Sequence, residues 1–182
     1  MLVRRATPAD VDAVARIFRA AFSGLGFLPT LHTPEEDRAY FGGVVAEDEV
    51  WVAETGGSPV AFVALSGDML SHLYVLPGAQ GGGVGTRLLE LAKERRPQGF
   101  ALWTFQRNAG ARRFYERHGL RLVRLTDGSE NEEREPDALY EWRREWSLWQ
   151  RATRSGRAAP RGRARSARSR AAAPRSCLRR SR

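Results

Sequence analysis

Hydrophobic and polar residues repeat with two different periods in the first 150 residues, and each period predicts one kind of element. A period near 3.6 residues places five apolar side chains on one helical face: Val11, Val14, Ala15, Phe18 and Phe22. Thr7 and Pro8 suit the N-cap and first position of this helix, and Gly24 suits its end. Three later segments predict further helices, at residues 33 to about 41, 83–96 and 108–118.

Short apolar runs between clusters of glycine, proline and polar residues predict seven strands. They cover residues 2–5, 50–54, 60–65, 69–76, 100–105, 120–125 and 138–142. Trp142 in the last of them also fits a helical face together with Trp146 and Trp149, so that segment has two interpretations. Strands that alternate with helices indicate a mixed α/β domain in which helices pack on one main sheet.

Composition excludes several classes of protein. The chain has 182 residues, 42% of them hydrophobic, which suits one packed domain with an appendage. No apolar run approaches the roughly 18 residues of a membrane helix, and the N-terminus lacks the pattern of a secretory signal. Cys177 is the single cysteine, and His32, His72 and His118 lack metal-ligand spacing. We therefore expect a soluble cytoplasmic protein with no metal and no membrane partner.

The net charge of +9 comes from the C-terminal segment, residues 151–182, which holds twelve arginines and no acidic residue. The first 150 residues hold the other 18 basic residues against all 21 acidic ones, a net charge of −3. We predict a folded domain at 1–150 and a disordered tail at 151–182 rich in arginine, alanine and serine. The tail is either an electrostatic arm for nucleic acid, without sequence specificity, or a solvated segment with no selected role.

The most informative segment is a glycine-rich turn between a predicted strand and a predicted helix, within residues 73–89. Glycines let the backbone turn sharply and approach a ligand, and the N–H groups at a helix start favour phosphate. The turn lacks the lysine of a Walker loop and fits the dinucleotide fingerprint poorly. It predicts a backbone site for a phosphorylated ligand, and the alternative is a plain flexible turn.

Two motifs in this order along the chain carry a resemblance to a known family. The first is Gln80-x-x-Gly83-x-Gly85 after a strand that ends Val75-x-Pro77. The second contains Asn108, the pair Phe114-Tyr115 and Gly119. In motif and spacing the chain resembles the GNAT superfamily, the acetyl-CoA-dependent N-acetyltransferases, over about residues 2–145. Gly82 stands where the family often has a cation, for which Arg87 or Arg112 could substitute.

The resemblance implies an α/β (α+β) fold and the cofactor site. The sheet would be mixed and mostly antiparallel, with six to seven strands, flanking helices and a splayed central strand pair. The pantetheine arm of acetyl-CoA would lie in the gap and pair with the backbone around Tyr74 and Val75. The cofactor-binding residues implied are Tyr74, Val75, Gln80, Gly81, Gly82, Gly83, Val84, Gly85, Thr86 and Asn108.

The resemblance also assigns catalytic roles, each with a structural alternative. The backbone N–H of Val75 would stabilise the oxyanion that forms when an amine attacks the thioester. Tyr115 would donate a proton to the thiolate, or would simply be a packed aromatic residue. The general base is inferred from the residues instead: His72 lies in the strand that would face the cleft and its intrinsic pKa suits a base, and Asp68, before that strand, is a second candidate. The alternative is that His72 is a structural or outward-facing strand residue. Asn108 would contact pantetheine or act as a plain N-cap.

An acidic segment at 126–137 lies between the last two predicted strands and carries six acidic residues around Arg134. Its rim would attract a cationic amine, or it would be an ordinary solvated loop. Phe27, Trp51 and Trp103 could line the acceptor pocket or belong to the core.

The leading functional hypothesis is acetyl transfer to a primary amine of a small molecule or peptide. The alternatives are a protein N-terminal or lysine acetyltransferase, and a non-catalytic acyl-CoA sensor or nucleic-acid-binding module that uses the arginine tail. The sequence leaves the oligomeric state open, a homodimer included.

Overall fold

Seven strands and four α-helices make up residues 1–145, the part of the chain that the computed structural model describes. The strands are β1 (Leu2–Arg5), β2 (Glu49–Thr55), β3 (Ser58–Ser66), β4 (Met69–Val75), β5 (Phe100–Phe105), β6 (Arg121–Leu125) and β7 (Asp137–Trp142). The helices are α1 (Val11–Ser23), α2 (Pro34–Glu47), α3 (Val84–Arg95) and α4 (Ala109–Arg117). Every predicted strand and helix is present.

The predictions for the C-terminal part of the chain fall partly outside the described residues. Trp142 is described and lies in β7, which confirms the strand interpretation for that residue. Trp146 and Trp149 lie outside the described residues, as do the domain boundary near residue 150 and the tail at 151–182. The boundary and the tail therefore stay predictions.

The extent of α2 differs from the prediction. The helix begins as expected, because the Thr33 hydroxyl accepts a hydrogen bond from the Glu36 N–H (3.2 Å) and the Glu36 carboxylate accepts one from the Thr33 N–H (3.0 Å). It then continues through two glycines to Glu47 instead of ending near Phe41. Phe41 and Val44 are both buried, so the packing of that face outweighs the low helix propensity of glycine.

The sheet has the strand order β1-β2-β3-β4-β5-β7-β6. All neighbouring strands are antiparallel except β4 and β5, which are parallel. Met69 and Ala101 form the one paired position between β4 and β5 in the described chain, and beyond it the two strands diverge. The predicted mixed sheet with a splayed central pair is confirmed, and the gap lies beside the C-terminal half of β4.

Helices cover both faces of the sheet, and β3 shows this most clearly because five consecutive residues are buried. Ala61, Val63 and Leu65 face the cluster formed with α3 and α4, whereas Phe62 and Ala64 face α1 and α2. A strand buried on both faces reads as a continuous apolar run, which is the pattern of this segment. Within residues 1–145 no helix has the length and apolar character needed to cross a bilayer.

Candidate active site

The gap beside β4 exposes backbone groups along one edge of that strand. The N–H of Leu76, the residue after β4, donates to the Val60 carbonyl of β3 at 2.9 Å. In an antiparallel pair the bonded residues alternate, so the N–H groups of Val75 and Leu73 point away from β3 and toward the gap. The amide predicted to stabilise an oxyanion therefore faces the space between the splayed strands.

The same alternation corrects the prediction for Tyr74. Tyr74 is paired with Phe62 of β3, so its backbone N–H and C=O point toward β3. The backbone groups that face the gap are those of Leu73 and Val75. The Tyr74 ring instead packs edge-on against Phe18, with the ring centroids 5.1 Å apart. Gln80 lies near this edge, where its side-chain amide donates to the Val75 carbonyl at 3.1 Å.

The glycine-rich turn leads from β4 into α3 through two left-handed backbone positions. Gly81 has φ +79° and Gly83 has φ +80°, which non-glycine residues adopt only with strain. Gly83 is the N-cap of α3, and the first α-helical bond runs from the Arg87 N–H to its carbonyl at 3.0 Å. The preceding amides, from Val84 to Thr86, have no acceptor within the helix and lie at its positive end, as an anion site requires.

Gly85 has different surroundings from Gly81 and Gly83. A Cβ added at Gly85 would lie 3.6 Å from Phe114 Cζ and 3.6 Å from Val75 Cγ2. These are ordinary contact distances, so a Cβ at Gly85 would pack against α4 and β4 without a clash, whereas at Gly81 or Gly83 it would meet no protein atom within 4 Å.

The β4 edge and the start of α3 border one cleft of about 1620 Å³. Ligand pockets commonly enclose about 300–1,000 Å³, so the cleft has room for two substrates. Ten of the predicted site residues line it: His72, Tyr74, Val75, Gln80, Gly81, Gly83, Gly85, Thr86, Asn108 and Tyr115. Gly82 and Val84 do not line it, and the Val84 side chain is buried in the core.

Tyr115 and Asn108 both belong to the α4 wall of the cleft. Tyr115 is 7% exposed, and its ring centroid lies 5.4 Å from that of Phe114 and 6.3 Å from that of Tyr140. Asn108 Oδ1 accepts a hydrogen bond from the Ala111 N–H at 3.0 Å, so this residue caps α4. A ligand contact by Asn108 would therefore use its amide nitrogen.

The two arginines expected to replace the missing loop cation do not line the cleft. Arg112 donates to the Tyr140 hydroxyl at 3.0 Å, and Arg87 lies 3.4 Å from Glu94 on the same helix. Two other arginines border the cleft, Arg117 near the end of α4 and Arg134 in the segment between β6 and β7.

His118 is a further cleft residue that sequence reasoning missed. Its Nδ1 lies 2.8 Å from the Phe114 carbonyl, which can only accept, so Nδ1 carries a proton. In the neutral ring, Nε2 then accepts from the Thr86 hydroxyl at 3.1 Å and joins α4 to the start of α3. The sequence signal for this residue is its position inside the second motif. Residue spacing alone does not predict its contact with Thr86.

His72 is buried among aromatic side chains that belong to the α1 and α2 side of the sheet. It is 3% exposed, its Nε2 lies 3.2 Å from the Tyr40 hydroxyl, and its ring packs on Phe41 and Phe62. Burial lowers the pKa of His72 to about 4, so the ring is neutral at physiological pH. These surroundings favour the structural interpretation, and the general-base role stays a prediction.

We expect the buried His72 to make the domain sensitive to mild acid. In the unfolded chain the histidine pKa is near 6.5, so between pH 6.5 and 4 the unfolded state binds the proton more readily and stability falls as pH falls. From pH 7.5 to pH 5 the loss is about 2 kcal/mol. Urea unfolding at both pH values would measure it in the wild type and in His72→Gln, which lacks the imidazole. An equal pH difference in the two proteins would contradict the assignment.

Asp68, the second candidate base, is far from the reactive edge. It is exposed and precedes β4 at the end where β4 and β5 are still paired. Val75 lies seven residues further along, about 23 Å in an extended strand. Asp68 does not line the cleft, so its candidacy as the base is not supported.

The segment between β6 and β7 also lines the cleft, and its role as an acidic rim for the acceptor stays a prediction. The lining residues of this segment are Thr126, Ser129, Glu130, Asn131, Glu132, Glu133, Arg134 and Asp137. Of the three aromatic residues considered for an acceptor pocket, Trp103 lines the cleft. Trp51 instead packs beside Arg5 and Arg95, and Phe27 packs against Phe105.

Comparisons with known proteins agree with this geometry. A family model described as an acetyltransferase (GNAT) domain matches residues 46–121. An uncharacterized N-acetyltransferase of Archaeoglobus fulgidus is 34% identical over 139 residues, which cover 66% of this chain and 93% of that protein. The peptidyl-lysine N-acetyltransferase YiaC of Escherichia coli is 31% identical over 80 residues, 43% of this chain and 54% of that protein.

A solved structure shows the same fold. The structure of yncA from Salmonella typhimurium, with its cofactor acetyl-CoA, has a TM-score of 0.62 and 18% sequence identity. The match covers 79% of this chain and 94% of that one.

Proposed function

The chain belongs to the GNAT superfamily of N-acetyltransferases, and we propose on that basis that it transfers the acetyl group of acetyl-CoA to a primary amine of a small molecule or peptide. Membership makes the chain an acyltransferase. One observation carries the proposal: the outward-facing Val75 amide and the amides that begin α3 border the same cleft. Acetyl-CoA needs both sites, because the Val75 amide suits its thioester and the amides that begin α3 suit its diphosphate.

The residues present fit acetyl-CoA. A Cβ added at Gly81 or Gly83 would meet no protein atom within 4 Å, so the turn faces open space. The amides of α3 would hold the pyrophosphate there, and the Arg117 guanidinium on the α4 wall would add a positive charge. The acetyl-CoA carried by the yncA structure supports the same choice of ligand.

The chemistry requires little from the protein beyond alignment and charge stabilisation. Acetyl-CoA supplies a thioester whose carbonyl carbon is attacked by the amine. The Val75 N–H would donate to the carbonyl oxygen as that oxygen gains negative charge. The Tyr115 hydroxyl would donate a proton to the departing sulfur. His72 is a weak proton acceptor because burial lowers its pKa to about 4.

A panel of amines with acetyl-CoA, monitored by thiol release, tests the proposal. We expect turnover with at least one primary amine and acetyl-CoA binding by calorimetry. Faster turnover of lysine peptides than of free amines would favour a protein lysine acetyltransferase, the candidate supported by the similarity to YiaC. Binding without thiol release from any amine or peptide would favour the acyl-CoA sensor instead.

A further inference from the structure

Glu133 has a buried carboxylate for which the described chain supplies no hydrogen-bond partner. The residue is 8% exposed, and both carboxylate oxygens are buried without a bond to any of residues 1–145. Burial raises the pKa of Glu133 above its ordinary value, and the backbone N–H of the same residue partly offsets the rise. A buried and unpaired carboxylate opposes folding, so its presence calls for a role that compensates for this cost.

Two basic side chains border the same small cavity as Glu133, and both lie beside other carboxylates. Arg19 of α1 forms an ion pair with Asp37 of α2. The Nε2 of His32 lies 3.1 Å from the Glu132 carboxylate. Neither side chain hydrogen-bonds the Glu133 carboxylate within the described residues, so that carboxylate is available to a cation from outside them.

Glu133 borders two spaces in the structure. It is one of the residues of the β6–β7 segment that line the main cleft, and it borders the small cavity, of about 30 Å³, together with residues of α1, α2 and their connection. A cavity of that size has room for a water molecule, and Arg19, His32 and Asp37 along it offer polar partners. The Glu133 side chain therefore lies at the border of both spaces.

The surrounding loop holds Glu133 in place. The Asn131 amide donates to the Glu135 carbonyl (2.7 Å) and to the Asp137 carboxylate (3.1 Å), and it accepts from the Glu135 N–H (3.1 Å). The next residue, Arg134, has φ +53°, a left-handed conformation that costs energy for a non-glycine residue. The carboxylate is therefore presented by a braced loop rather than by a flexible one.

We propose that Glu133 binds the ammonium group of the acceptor and takes the proton that this nitrogen must lose before it attacks. The inference rests on the proposed acetyl transfer and narrows its acceptor class to amines that are protonated at neutral pH. A carboxylate suits this role because it attracts the cation before the proton moves. Alkyl amines, with a pKa near ~10.4, belong to this class.

The step balances without any further reagent. One proton passes from the ammonium nitrogen to a Glu133 carboxylate oxygen, directly or through water, and later leaves to solvent. The neutral nitrogen forms the C–N bond, the C–S bond breaks, and the electron pair of that bond goes to sulfur. The nitrogen loses its second proton, the thiolate gains one from Tyr115, and the tyrosine is reprotonated. The products are an amide, a thiol and one proton in solution.

The test compares Glu133→Gln with Glu47→Gln, the same substitution at an exposed residue at the end of α2 that does not border the cleft. With the best alkyl amine of the panel, we expect kcat/KM to fall about 100-fold in Glu133→Gln, as for loss of a general base, and less than threefold in Glu47→Gln. With aniline, which is neutral at pH 7.5, Glu133→Gln should lose less than threefold. The KM for acetyl-CoA should not change, and Glu133→Gln should melt no lower than the wild type.

Equal losses in the two variants, or an equal loss with aniline, would overturn the role of Glu133 and leave acetyl transfer intact. If the wild type turns over no amine, the proposed function fails by itself. Glu133 is then tested by a calorimetric titration of propylammonium into the protein with CoA present. Binding that disappears in Glu133→Gln alone would support the ammonium site, and binding that is absent or unchanged would exclude it.

Discussion

Valine at Gly83 is expected to weaken acetyl-CoA binding by at least about 100-fold, or about 2.7 kcal/mol. Gly83 has φ +80° and precedes the three amides at the start of α3, so a β-branched side chain would force the turn into another conformation. Its side chain would also project into the open space beside the turn. Hydrogen bonds to charged groups contribute about 1.5–3 kcal/mol each, so misplacing one or two of them accounts for the loss. Isothermal calorimetry measures it.

Gly57 offers a matched control for the backbone strain. It has φ +78°, has no protein atom within 4 Å of an added Cβ, and lies in the turn between β2 and β3, away from the cleft. Gly57→Val should therefore lower the melting temperature about as much as Gly83→Val while it leaves acetyl-CoA affinity unchanged. If Gly83→Val proves unstable, the same comparison is made with alanine. Equal affinity in the Gly83 variants and the wild type would remove this turn from the cofactor site.

The fold could be predicted from the sequence wherever local pattern decides it. β5 has the predicted bounds because it is a short, mostly apolar run between Gly99 and Gln106. The end of α2 could not be predicted, because the second half of the helix contains Gly42 and Gly43. Packing of Phe41 and Val44 keeps this half helical. That packing joins residues distant along the chain, which a local period does not report.

The two walls of the cleft differ in how far the sequence predicts them. The proposed cofactor wall follows from glycine spacing, because the left-handed turn and the helix start are local features. The proposed acceptor wall depends on contacts across the fold. Six acidic residues around Arg134 look equivalent in sequence, yet Glu133 alone among them has a buried carboxylate without a hydrogen bond to another residue of the described chain. This difference depends on the conformation of the loop that Asn131 braces, which a local period does not report.

His72 and Arg112 show how tertiary contacts redirect a residue of suitable chemistry. The alternation of β4 places His72 on the face toward α2, where aromatic packing makes it neutral. Arg112 is drawn toward the Tyr140 hydroxyl and away from the cofactor turn. Neither the burial of His72 nor the contact of Arg112 with Tyr140 can be predicted from residue type or spacing. Both depend on which elements pack against β4 and α4 in the folded domain.

Removing the Tyr115 hydroxyl is expected to lower kcat about 10- to 1000-fold with little change in acetyl-CoA affinity, around the usual range for loss of a general acid. Tyr115→Phe retains the ring that packs on Phe114 and Tyr140, so the α4 wall should keep its shape. The departing thiolate would then leave without a proton donor. A thioester of a more acidic thiol needs less proton donation, so the defect should shrink with such a donor, an effect that a packing role would not produce.

Tyr140→Phe is the matched control, because it removes a hydroxyl from a neighbouring buried tyrosine that does not line the cleft. The Tyr140 hydroxyl donates to Glu116 at 2.6 Å and accepts from Arg112 at 3.0 Å, so its loss should cost about 1–3 kcal/mol of stability and leave kcat nearly unchanged. Steady-state kinetics, with single-turnover measurements to establish that chemistry limits kcat, and thermal melting separate the two effects. Equal kcat in Tyr115→Phe and the wild type, with chemistry rate-limiting, would assign Tyr115 to packing. A kcat lowered equally in both variants would mean that the loss comes from disturbed packing of α4 rather than from a missing proton donor.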